Sequence, residues 1–138
     1  MVEEDAISTL DALKGLGLRL GLVSNAGDAH DVDTLVDQHH LRSYFEQVII
    51  SALVGVRKPN PDIFKLALDH FKVAPDNTVM VGDTLGADIL GARNARIASV
   101  WITRRAHRSD NRAHEDTIQP DAVINRLSEL PALLERGF

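Results

Sequence analysis

The most restrictive feature of the chain is Thr78-Val-Met-Val-Gly-Asp-Thr-Leu-Gly-Ala-Asp88, a short apolar run that ends in Gly82-Asp83 and passes directly into helical spacing. Such a run predicts a strand, a tight turn and a helix start. Leu85, Ile89 and Ala92 recur on one helical face, so the helix has a side to bury. In open parallel α/β sheets, ligands gather beyond the carboxyl ends of the strands, which puts Asp83 on a functional rim. Asp88 lies one turn further on, and the two carboxylates can converge. Hard oxygen ligands beside a glycine-rich turn suit Mg²⁺ together with a phosphate. The plainer alternative is that Asp83 only caps the helix, a role that Asp often takes.

The rest of the chain repeats this alternation. A helix is expected over residues 3–16, with Glu3, Glu4 and Asp5 at its positive end and Ala6, Leu10 and Leu13 as its buried stripe. Gly15 and Gly17 stop it. Residues 18–23 read as a strand covered on both faces, ending at Ser24-Asn25-Ala26-Gly27. Asp28 is placed to cap a helix carrying Val32, Leu35 and Val36, and Val48-Ile49-Ile50 forms the next strand. A loop from Ser51 leads to Lys58-Pro59-Asn60-Pro61, where Asn60 caps a helix begun by Pro61 and extending to about Phe71. Strands are expected at 98–102 and 122–124, and a last helix over 128–136 burying Leu130 and Leu134. Strands that are apolar throughout, separated by helices, imply a three-layer α/β/α sandwich around a parallel, Rossmann-like sheet.

A length of 138 residues, 44% of them apolar, fits one compact domain over 1–138. The net charge of −5 comes without a long basic run, which argues against nucleic acid as partner. No segment approaches the ~20 apolar residues that cross a bilayer, and Met1-Val-Glu-Glu-Asp5 is unlike a signal peptide. Cysteine is absent, which excludes disulfides and thiolate chemistry and fits a cytoplasmic protein. The loop from Arg104 to Asp116 mixes both charge signs and is expected to be a solvated, poorly ordered excursion. His30, His39, His40, His107 and His114 have no spacing typical of a zinc site.

Three strand-end signals occur in order: Leu22-Val23-Ser24-Asn25-Ala26, Arg57-Lys58-Pro59-Asn60-Pro61-Asp62-Ile63-Phe64, and Val81-Gly82-Asp83-Thr84 with Asp88. Together they resemble motifs II, III and IV of the haloacid dehalogenase (HAD) superfamily, most closely the subfamily I proteins with a helical cap. The resemblance implies a Mg²⁺-dependent phosphatase-type hydrolase. Ser24 and Asn25 would bind a phosphoryl oxygen, Lys58 would neutralise the nucleophile and the developing charge, and Asp83 with Asp88 would hold the metal. Phosphoryl transfer depends mostly on positioning and charge stabilisation, so these residue types suit it.

One element of the pattern is missing. The family's nucleophile is the first Asp of an Asp-x-Asp sequence closing the first strand, ahead of the cap. Here Glu3, Glu4 and Asp5 follow no strand, and Asp28, Asp31 and Asp33 open a helix after the motif II strand. The expectation is therefore a HAD core truncated by its first strand and cap, binding a small phosphorylated substrate or phosphate but inactive alone. The alternative is a non-catalytic HAD-like interaction module. In the resembled fold the first strand lies between those ending at Ser24 and Asp83. Its absence predicts direct pairing of residues 18–23 with 78–81, or a homodimer through the exposed edges.

Overall fold

The computed structural model describes residues 6–25 and 41–137. The expectations for Glu3, Glu4, Asp5, Ala26, Asp28, Asp31, Asp33 and the helix of Val32, Leu35 and Val36 fall outside these residues, as do those for His30, His39 and His40. The described elements are α1 (Ala6–Gly15), β1 (Gly21–Ser24), β2 (Gln47–Ile50), the short α2 (Ser51–Val54), α3 (Pro61–Phe71) and β3 (Val79–Gly82). After β3 come a π-helical turn (Leu85–Ile89) continuing as α4 (Leu90–Asn94), then β4 (Ala98–Ile102), α5 (Ser109–His114), β5 (Ala122–Ile124) and α6 (Leu130–Arg136).

All strand pairs are parallel, so within each sheet the carboxyl ends point the same way. Helices cover both faces. On one side Ile63, Phe64 and Leu68 of α3 pack with Ile49, Ala92, Ala95 and Ile97. On the other, Leu13 of α1 and Leu130 and Leu133 of α6 close over Val100, Ile102 and Ile124. Burying such side chains contributes roughly 1.5–3 kcal/mol apiece. This is the expected three-layer parallel α/β architecture. Asn60 caps α3 as its sequence implies, its side chain accepting from the Asp62 amide, with Pro61 in the first turn.

The sheet, however, is split: β1 pairs only with β2, and β3-β4-β5 form a separate sheet. Direct pairing of the β1 and β3 segments, the arrangement preferred from the sequence, does not occur. The two sheets nevertheless share one layer. Val23 and Met80 pack against the first core, while Leu20 and Val81 pack against the second. Successive strand residues face opposite sides, so these pairs fix both sheets between the same helices. The β1 and β3 edges thus face each other with no strand between them among the described residues. Lys58 occupies part of the interval, donating from Nζ to the Val23 carbonyl at 3.0 Å. That bond satisfies one edge acceptor that pairing would otherwise have used.

Two further expectations change. β1 is shorter than residues 18–23, and its residues are exposed or half-buried rather than covered on both faces. At Gly21 a side chain is excluded, since a Cβ there would lie 2.9 Å from the Phe71 ring of α3. The segment after β4 is also ordered. Residues Thr103–Arg105 form a 3₁₀ turn and Ser109–His114 a helix, around an Asn111 that is 1% exposed.

Candidate active site at the strand carboxyl ends

The rim is built from four connections. β1 ends at Ser24, and Asn25 immediately beyond it clasps the loop before α3. Its Nδ2 donates to the Lys58 carbonyl at 2.9 Å, and its Oδ1 accepts from the Lys58 amide at 2.8 Å. This two-bond clasp fixes the Lys58 backbone against the end of β1. Ser24 is half-buried between Val23 and Asn25, both of which bond Lys58.

Lys58 is a buried residue, 8% exposed, where loop lysines are ordinarily solvated. Its Nζ meets Asp88 Oδ1, and both side chains are almost fully enclosed. A buried ammonium needs such a partner, because an unpaired one costs several kcal/mol. The other Asp88 oxygen, Oδ2, accepts from the amides of Asp83 and Thr84 at 3.1 and 3.2 Å. Asp88 therefore reaches back to the turn that precedes its own helix. That reach demands glycine at position 82, since a Cβ there would overlap the Asp88 side chain. The π-helical turn presents Asp88 to both partners, and such turns concentrate at functional sites.

Asp83 does not cap the helix: Thr84 holds the cap position, with no side-chain cap bond. The Asp83 carboxylate instead accepts from Thr84 Oγ1 at 3.0 Å through Oδ1. Its Oδ2 lies 3.0 Å from Arg104 Nε and 3.2 Å from Arg105 Nε. Burial pushes the Asp83 carboxyl up, but the hydrogen bond and charge of Arg104, the Thr84 hydroxyl and the charge of Arg105 outweigh it. The group is held below the usual carboxylate range. Trp101 Nε1 and Asn111 Nδ2 donate to the Asp83 carbonyl at 3.1 and 2.9 Å.

The structure thus brings Asn25, Lys58, Asp83 and Asp88 into one chain of contacts, with Ser24 beside it. Arg104, Arg105 and Asn111 were not foreseen. Their sequence gives no periodic signal, and only the parallel topology reveals that a loop leaving β4 returns to the neighbouring strand end. Asp83 and Asp88 fit Mg²⁺ in kind, as hard carboxylate oxygens. They are few in number, since the described residues hold no cluster of three or more metal-ligating side chains.

A model of the haloacid dehalogenase-like hydrolase family matches residues 2–102. The chain belongs to this family. It is 35% identical over 131 residues to glyceraldehyde 3-phosphate phosphatase of Pyrococcus furiosus, covering 95% of this chain and 53% of that protein. Against the pyrimidine 5′-nucleotidase of Escherichia coli it is 37% identical, covering 94% of this chain and 55% of the relative. Among solved structures, a HAD phosphatase from Thermococcus onnurineus superposes with a TM-score of 0.82 at 34% identity, over 97% of this chain and 58% of that one. The chain spans about half the length of the curated relatives it matches. No described helix is long and apolar enough to cross a membrane.

Proposed function

We propose that this HAD-family chain forms the phosphate- and metal-binding part of a phosphatase that acts on small phosphate monoesters. The observation carrying this reading is Lys58, a buried cation bonded both to the Val23 carbonyl at the end of β1 and to Asp88 after β3. A lysine held at that depth serves an anion arriving between the two strand ends. Lys58, Ser24 and Asn25 would contact the phosphoryl oxygens; Lys58 would offset the charge that develops on them. The named activities of the relatives, a sugar-phosphate phosphatase and a nucleotidase, support the substrate class.

Asp83 and Asp88 would hold Mg²⁺, which supplies charge neutralisation for the transferring phosphoryl group. With two carboxylates for a cation that takes six oxygens, water must complete the shell. The affinity should be millimolar, about −4 kcal/mol or weaker. Turnover by this chain alone is not expected, because no described strand ends in Asp-x-Asp and covalent phosphoryl transfer needs that nucleophile.

Titrating inorganic phosphate into the protein with Mg²⁺ present, read by calorimetry, tests the reading. Binding that weakens at least tenfold in Ser24→Ala and Lys58→Ala, a loss of about 1.4 kcal/mol or more, supports it. Affinity unchanged in both folded variants overturns it.

The facing edges of β1 and β3 favour a second element of the proposal. A second copy of the chain would lend a segment to the interval, since strand edges that pair with no strand among the described residues invite pairing.

A further inference from the structure

Asp83 Oδ2 receives guanidinium Nε groups from two consecutive residues, Arg104 at 3.0 Å and Arg105 at 3.2 Å. Side chains of neighbouring residues rarely converge on one atom unless the backbone between them is bent, and here the 3₁₀ turn Thr103–Arg105 supplies the bend. The turn is itself tied to its target. Asn111 Nδ2 donates to the carbonyls of both Asp83 and Arg105, at 2.9 and 2.8 Å, while its Oδ1 accepts from the Leu85 amide at 2.8 Å. That amide side chain is 1% exposed and all three of its bonds join the two segments. The carboxylate and its two cations are therefore placed by one buried fastening.

The formal charges in the cluster follow. Among the described residues, Lys58, Arg104 and Arg105 bring three positive charges against the two negative charges of Asp83 and Asp88. The carboxylates are thus already neutralised by the protein's own side chains. A divalent cation at Asp83 would need lone pairs that the guanidiniums now use, and it would sit beside two like charges. We propose that Arg104 and Arg105 are a resident counter-ion pair for Asp83, and that divalent metal binds there only by exchange with them. Metal entry releases the two guanidiniums to the open rim, and metal loss lets them return. This exchange rests on the assignment of Asp83 as a metal carboxylate.

Trp101, the only tryptophan of the chain, bonds the Asp83 carbonyl and reports on this position. Mg²⁺ is titrated into the wild type, R104Q/R105Q, R104K/R105K and Asp83→Asn, following tryptophan fluorescence and calorimetric heat. Two partly exposed ion pairs compete with the metal in the wild type. R104Q/R105Q should therefore bind Mg²⁺ roughly tenfold tighter, while R104K/R105K stays closer to the wild type and Asp83→Asn loses the response. Unchanged or weaker binding in R104Q/R105Q, with Asp83→Asn still abolishing it, overturns the exchange and leaves the metal assignment standing. A Mg²⁺ response that survives Asp83→Asn, or none in any protein, overturns both. Should R104Q/R105Q not fold, the arginine Nε–Hε signals of the wild type decide by nitrogen-15 NMR. Both signals should move as Mg²⁺ saturates, and signals that stay in place overturn the proposal.

Discussion

Lys58 and Asp88 form a structural pair to which the proposed function also assigns a role. Their contact is almost fully buried, so removing one partner strands the other charge in a poor solvent for it. Lys58→Met should cost about 3–5 kcal/mol in urea denaturation, and Lys58→Met combined with Asp88→Leu should cost less than Lys58→Met alone. A double variant less stable than the single would contradict this origin. Asp83 gives a pH signature. Its carboxyl is held below the unfolded value, so its contribution is present above the usual carboxylate pKa of about 3.9 and is lost as pH falls through the lower folded value. The stability difference between wild type and Asp83→Asn should thus shift in favour of the variant between pH 5 and 3, as judged by thermal midpoints over roughly that range. A difference that grows in favour of the wild type on acidification would contradict it. The place of the carboxylates at a strand end was legible because an apolar run broken by Gly-Asp marks where a strand closes. Arg104 and Arg105 were not, since a charged pair in a polar loop looks the same whether it faces water or a carboxylate.

At the scale of elements, the strand–turn–helix unit from β3 to α4 depends on how closely Asp88 approaches Gly82. Gly82→Ala should destabilise by about 1–3 kcal/mol through overpacking, visible as a lower urea midpoint, and should displace Asp88 from Lys58. A wild-type midpoint in this variant would show that the turn yields easily. The positions of β4 and β5 could be read from short, mostly apolar runs, and α3 from its Asn-Pro start. The segment from 104 to 116 could not. Its order comes from Asn111, whose bonds to Leu85 and Asp83 are tertiary and leave no periodic trace in the sequence. β1 was overextended for a related reason: an apolar run marks where a strand can form, whereas hydrogen-bonded partners decide where it does.

For the molecule as a whole, the split between β1-β2 and β3-β4-β5 is the feature that sequence reasoning anticipated in kind and misjudged in outcome. An interval between two strands was expected, but not that the flanking strands would keep their places. Both cores explain this. Val23 with Met80 and Leu20 with Val81 hold the sheets to the same helices, so sliding β1 across would empty packed positions on both faces. Two edges that pair with no strand among the described residues should draw in a second chain. Sedimentation velocity should show a monomer–dimer equilibrium that shifts with concentration, whereas a strict monomer at every concentration would contradict the dimer. The central claim is a phosphatase cradle that binds but does not turn over by itself. Its most direct test is phosphate release from a generic aryl phosphate by the purified chain with Mg²⁺. The account predicts no release above the buffer rate, and turnover that disappears in Lys58→Ala or Asp83→Asn would contradict it.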